Sequence, residues 1–259
     1  MSGDYTVYLW LLKLGALPNL YFAASVAALG ADAYLAVPAQ IFFAVCAYRC
    51  LLPVHYEHYI VFHASALSSV FATRVLATFA EVAFIFLLAV VLERLNVGDV
   101  AWVNGVARYM VLQAVICQVC VWVAILGEEF EFYFYEELGW VFMIAADAVA
   151  SVYLYLTVDG LGDRLTLLQL NLLFALVYLP FQAVNLRAIR AQAKRERKLG
   201  VRWTAARFVA GLRRAIQVKN RHTDAESWGG IVGLIWMTSY WAVLLPPWVY
   251  YIAAVLARS

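Results

Sequence analysis

The chain is short of charge. Of its 259 residues only 14% are Asp, Glu, Lys or Arg and 65% are hydrophobic, with a mean hydropathy of +0.78. A soluble domain carries roughly a quarter charged residues, so this composition identifies an integral membrane protein with no soluble domain left over. Lysine is scarcer still: none lies between Lys13 and Lys194 and none after Lys219. That excludes a retinal Schiff base in the last span of a seven-helix protein. Histidine occurs four times, too rarely for a membrane di-iron oxygenase, and no two candidate spans each supply one for a bis-histidine haem. There is no phosphate-binding Gly-rich loop, no Ser nucleophile elbow, no Asp-rich prenyl-transferase pair and no His-Glu-x-x-His helix. No internal repeat is evident, which weighs against an inverted-repeat transporter. The first residues, Met-Ser-Gly-Asp-Tyr, lack a basic n-region and a small-residue cleavage site, so Met1 is expected to belong to the mature chain.

What is abundant is apolar sequence in long runs. At about 20 residues per crossing, the runs at 5–29, 33–54, 70–92, 101–126, 138–158, 165–187 and 228–256 are predicted spans. The expected fold is therefore all-α: one polytopic bundle of six or seven transmembrane helices, its aromatic residues fitting the interfacial belts. The first run contains Lys13 and the breaker pair Pro18-Asn19, which leaves it either a kinked span or an interfacial helix. Pro180 and Pro246-Pro247 predict kinks or interruptions in the last two spans.

Residues 187–221 hold 12 of the 19 Lys and Arg against one acid, Glu196. By the positive-inside rule this segment faces the cytoplasm or the matrix of an organelle, pointing to a bacterial or mitochondrial inner membrane. The acidic, aromatic link 128–137 falls on the same side, but acids weigh little in that rule. Arg187, Arg190, Lys194, Arg195, Arg197 and Lys198 continue the preceding span in good helix formers. After Gly200 the apolar residues Val201, Trp203, Phe208, Val209, Leu212 and Ile216 recur among Arg202, Arg207, Arg213 and Arg214. That is the pattern of an amphipathic helix lying in the interface, and residues 188–222 read as a basic helical loop. Each such cation contributes on the order of 1 kcal/mol at an anionic surface. The loop either grips anionic phospholipid or acidic partners, or merely sets topology. Nucleic acid is excluded as a partner, since Trp203 alone offers no stacking platform.

Intramembrane charge marks candidate functional residues. Arg74 is the fifth and Glu81 the twelfth residue of the third run. They are about 10.5 Å apart along the axis, but side chains lean toward the helix N-terminus, so Arg74 is expected to snorkel inward and not to pair directly with Glu81. Thr78, one turn from each, could bridge them. Arg108 and Asp147 are the other charges inside spans, and pairing of Arg108 with Glu81 or Asp147 across helices is expected. These pairs either fix helix register or, with Glu81 and Asp147 binding an ion in turn, form a proton or cation path.

His55 and His58, with Glu57, are candidate metal ligands at the inner membrane edge, though a catalytic zinc requires three converging protein ligands. The expectation is no metal and no cofactor, only bound phospholipid. Cys46 and Cys50, like Cys117 and Cys120, are one turn apart and read as small core residues. Gly229 and Gly233 have the spacing that lets helices approach closely, either within the bundle or against a partner subunit.

From these residues the expected function is that of an accessory or assembly subunit of a larger membrane complex, respiratory or otherwise energy-transducing, more in keeping with no catalytic activity of its own. The alternatives are a proton- or ion-coupled transporter using Glu81 and Asp147, and a lipid-modifying enzyme around His55, Glu57 and His58.

Overall fold

A computed structural model describes residues 3–160, 162–196 and 204–258, the side chains of Glu57 and Glu196 excepted. The fold is all-α. Among the described residues, seven helices are long and apolar enough to cross a membrane: Thr6–Leu29, Ala33–Leu51, Val70–Leu95, Ala101–Gly127, Glu131–Thr157, Gly162–Arg195 and Gly230–Ala257. The first is built as α1 (Thr6–Leu12) and α2 (Ala16–Ser25), with tighter 3-10 turns at Lys13–Gly15 and Val26–Leu29. Asp4 starts it by accepting from the Thr6 N–H and hydroxyl. Gly30 ends it at φ 75°, a left-handed conformation that glycine adopts at little cost. The span is thus continuous through Pro18, with 3-10 turns where a regular helix would be strained.

Asp32 caps the next helix, α3 (Ala33–Leu51), by accepting from the Leu35 N–H at 3.1 Å. Then come α4 (Val70–Leu95), α5 (Ala101–Gly127), α6 (Glu131–Thr157) and α7 (Leu165–Glu196). Pro180 does not interrupt α7, whose 32 residues extend about 48 Å, well beyond a hydrocarbon core of about 30 Å. The helix therefore carries its basic end out of the bilayer, as its helix-forming composition requires. The amphipathic helix follows as α8 (Ala205–Gln217). The last span is broken: α9 (Gly230–Thr238), a π turn at Ser239–Val243, then α10 (Leu245–Ala257) with prolines in its first turn. Pro246 and Pro247 have no N–H to offer the preceding turn, and the chain widens there.

The N-terminal residues join the segment after α8: Tyr5 N–H donates to Thr223 O at 2.7 Å and Ala225 N–H to Gly3 O at 2.8 Å. There β1 (Val54–His55) pairs antiparallel with β2 (Ile60–Val61), and β2 pairs parallel with β3 (Asn220–Arg221). The polar turn around the histidines is thus a small sheet tied to the end of the basic segment.

By packing, the chain forms two compact units, Met1–Phe84 with Leu212–Ser259, and Ile85–Gly211. In the first unit Gly15 is a contact point: a Cβ there would lie 2.7 Å from Ala242 Cβ and 3.0 Å from Cys50 Sγ. In the second, Gly139 lets α6 approach Cys117 and Gln113 of α5, and Gly211 lets α8 cross the Leu126 carbonyl. Gly229 and Gly233, expected to form a helix-packing face, do something else. Gly229 (φ 77°) and Gly230 (φ 59°) are left-handed residues at the start of α9. Gly233 makes room for the carbonyl of Trp228 in its own turn. A glycine pair forms a helix-packing stripe only where both residues are inside a helix, and here the helix begins between them.

Candidate functional site: the buried charges

In the first unit the third run supplies the pair that its own side-chain directions argued against. Arg74 and Glu81, 2% and 7% exposed, form a two-pronged ion pair: Nη2 donates to Oε2 at 2.7 Å and Nη1 to Oε1 at 3.3 Å. The lean toward the N-terminus governs the Cα–Cβ bond. The long arginine stem turns back along the helix, and Glu81 leans down to meet it. A bidentate, charge-assisted pair in a water-poor interior repays that conformation. Thr78 donates to the Arg74 carbonyl at 2.9 Å.

A second cation, not singled out from the sequence, completes the group. Arg49, near the end of α3, is 4% exposed and brings Nη1 to 3.9 Å from Glu81 Oε1. Because α3 runs toward the side on which α4 begins, the N-terminal lean that was expected to carry Arg74 away points Arg49 inward, to Glu81. Its guanidinium also lies 4.4 Å from the Trp241 ring and 5.6 Å from that of Tyr240, and Tyr56 covers Arg74 at 5.8 Å. Aromatic faces are the usual neutral companions of a desolvated cation. The cluster is two arginines around one glutamate.

The π turn supports it. Widening the helix releases carbonyls that other side chains then satisfy: Asn19 Nδ2 donates to Trp241 O at 2.8 Å, Cys50 Sγ to the same oxygen at 3.4 Å, and Cys46 Sγ to Tyr240 O at 3.8 Å. The two cysteines are thus thiol donors to a broken helix. In the second unit Cys117 donates likewise to Glu136 O at 3.4 Å.

Arg108 is not a buried cation. It lies on the exposed face of α5, about 10 Å from the helix start, and the N-terminal lean carries its side chain toward that end. The expected pairs with Glu81 and Asp147 are replaced by others. Asp147, 1% exposed, accepts from Asn171 Nδ2 of α7 at 3.1 Å, and the same Nδ2 reaches Ser151 Oγ at 3.4 Å. No arginine approaches Asp147 among the described residues.

The chain matches no family model, no curated protein and no solved structure. The site is therefore read from its own chemistry.

His55 and His58 have ring centroids 6.3 Å apart. Among the described residues no group of three or more His, Cys, Asp or Glu is placed to hold a metal ion. Burial, then the neighbouring His58, pushes the His55 imidazole down to about 4. His63 is held below its ordinary value by burial first, then by Lys13 and Arg221. Lys13 donates to its Nε2 at 2.6 Å while lying 4.0 Å over Trp10, so the basic residue inside the first apolar helix is anchored beside the small sheet.

Of the basic segment, Arg187, Arg190, Lys194, Arg195 and Arg213 are exposed. Arg197, Lys198 and Arg202 lie outside the described residues. Arg207 is not turned to the surface: it pairs with Glu129 at 2.9 Å, which explains why an acidic link belongs on the same side as a basic loop. Arg214 is half-buried. Besides Arg49, sequence reasoning missed Asn171 and the buried Glu136 and Gln182. Arg49 was visible as an arginine inside an apolar run, while Asn171 and Gln182 carried no charge to draw notice.

Proposed function

We propose that the protein is a non-catalytic subunit of a larger assembly in an energy-transducing membrane, steadied by anionic phospholipid along its basic segment. The observation that carries this reading is the engagement of Glu81 by two arginines. An acid that must release and rebind an ion needs a free coordination face, and Glu81 is gripped on both carboxyl oxygens by Arg74 and on one again by Arg49. A group so compensated fixes the register of α3 against α4.

Two further features support it. The first span is the least enclosed, with 22% of its most apolar stretch buried against 67% for α4. Trp10, Leu14, Leu17 and Tyr21 stand exposed along it, a broad apolar face for a neighbouring helix. The exposed cations Arg187, Arg190, Lys194 and Arg195 follow one another on the projecting end of α7, where headgroup phosphates lie within reach.

Purification from the native membrane in mild detergent tests the reading, with photo-crosslinking residues at Leu14 and Leu17. Stoichiometric co-purification with other membrane proteins, cross-linked through those positions, is the expected result. A monodisperse monomer or homodimer, cross-linked only to lipid, would contradict it.

A further inference from the structure

The second unit holds an acid that the arginines do not explain. Asp147 lies in α6, ten residues before Thr157 and so about 15 Å from that end of the helix, deep within a span. It is 1% exposed, Ser151 is fully buried and Asn171 is 1% exposed. Burial and the Asn171 bond are the influences that act on its carboxyl. The ionisable residues of the helices packed against α6, Arg108, Tyr109, Cys117 and Cys120 on α5 and Tyr178, Arg187 and Arg190 on α7, make no ion pair or hydrogen bond with it. An ionised carboxylate held by one amide donor, away from water and from any cation, carries a desolvation cost that such a bond does not offset.

A second observation points the same way. The Asn171 amide turns its donor to Asp147 and Ser151, and its own carbonyl oxygen is buried without a hydrogen-bond partner. A metal cation at this point would draw that oxygen inward with the carboxylate and the serine hydroxyl, because a hard cation collects oxygen ligands. With the amide donor on Asp147 and no cation paired with the carboxyl among the described residues, a proton is the occupant that needs one oxygen and no further ligand.

We propose that Asp147, Ser151 and Asn171 form a proton-binding site within the bilayer. The carboxyl of Asp147 is neutral there: one oxygen accepts from Asn171 and the other carries the proton. Binding adds H+ to the carboxylate, forming one O–H bond, and release returns the carboxylate and a proton, with no change of oxidation state. Ser151, one turn along the same helix, shares the Asn171 amide with Asp147 and completes the polar lining of the site. The site stands on the geometry of the second unit alone and holds whether or not the chain has partner subunits.

The wild-type chain permits a test without any variant. The other aspartates, Asp4, Asp32, Asp99, Asp159, Asp163 and Asp224, are exposed or half-buried. Protein carrying 13C at the aspartate side-chain carboxyl, in detergent or lipid at neutral pH, is examined by infrared spectroscopy for an isotope-shifted C=O stretch of a carboxylic acid. The expected result is one such band, unmoved when sodium replaces choline in the buffer and absent in Asp147→Asn. A spectrum showing only ionised aspartate at neutral pH would overturn the proposal. So would a band that disappears on adding sodium, which would make the site one for a metal cation.

Discussion

The two units solve the same physical problem in opposite ways. Each buries a carboxyl group inside a membrane span, where an uncompensated charge is costly. In the first unit Glu81 is engaged by two guanidiniums, Arg74 and Arg49, with aromatic rings beside both cations. In the second, the hydrogen-bond partner of Asp147 among the described residues is the Asn171 amide, which also reaches the Ser151 hydroxyl. The first arrangement is rigid, since removing one partner strands the others. The second tolerates loss of charge, since no partner there is charged. A buried acid is thus a poor guide to function until its neighbours are known: one is paired with arginines, and the other is not.

The largest effect is expected at Glu81. Glu81→Gln removes the carboxylate that two buried guanidiniums contact and should lower unfolding stability by about 3–5 kcal/mol, read as thermal unfolding in detergent. Asp147→Asn preserves the bond from Asn171 and should change it by about 1 kcal/mol or less, the scale of one neutral hydrogen bond. Equal losses in the two variants would erase the distinction between the units.

Glycine substitutions sharpen it at the level of packing. Gly15→Ala sets a methyl 2.7 Å from Ala242 Cβ, next to the backbone of the π turn, and should cost about 1–3 kcal/mol through overpacking. Gly139→Ala sets a methyl against Cys117 Sγ, which is fully buried and bonded to the Glu136 carbonyl, and should cost at least as much. Gly105, with nothing within 4 Å of the added carbon, should gain about 0.5–1 kcal/mol on change to Ala. The same unfolding measurement ranks all three.

A smaller effect separates the units by pH. All four histidines, His55, His58, His63 and His222, belong to the first unit. His55 and His63 are held below the value of an unfolded histidine, about 6.5, His55 to about 4. A depressed histidine binds its proton more readily unfolded than folded, so stability is full above about pH 6.5 and falls as the pH drops toward about 4. Relative to the intrinsic exchange rate at each pH, amide hydrogen exchange should therefore accelerate in residues 54–63 and 220–228 between pH 7 and pH 5, more than in α5 and α6, and His55→Phe should reduce the difference. Uniform acceleration across both units would contradict this.

Much of the fold was legible because a bilayer leaves few options. Backbone polar groups must be satisfied within each span, so apolar length alone gave the crossings, and helix-forming residues gave the extension of α7 past the membrane. The doubtful first span resolved through Lys13, whose ammonium reaches His63, a contact 50 residues away that no local pattern contains. The π turn could be placed near Pro246-Pro247, but its consequence, freed carbonyls taken up by Cys46, Cys50 and Asn19, depends on tertiary neighbours. Three site residues were misjudged. Arg74 was placed by depth and by the direction of the Cα–Cβ bond, Arg108 by depth alone, and Arg49 was passed over; the reach of an arginine stem let Arg74 turn back, and the exposed face of α5 leaves Arg108 at the surface. Gly229 and Gly233 matched a spacing without the helix that gives that spacing meaning.

A double-mutant cycle between Arg74 and Glu81 gives the sharpest test of this division. Unfolding free energies of Arg74→Met, Glu81→Gln and the double variant are compared with the wild type in one detergent. If the two side chains hold each other as the structure places them, the double variant is more stable than the sum of the single losses requires, by about 1–3 kcal/mol. Strict additivity would mean that Arg74 snorkels away and that Glu81 answers to some other partner.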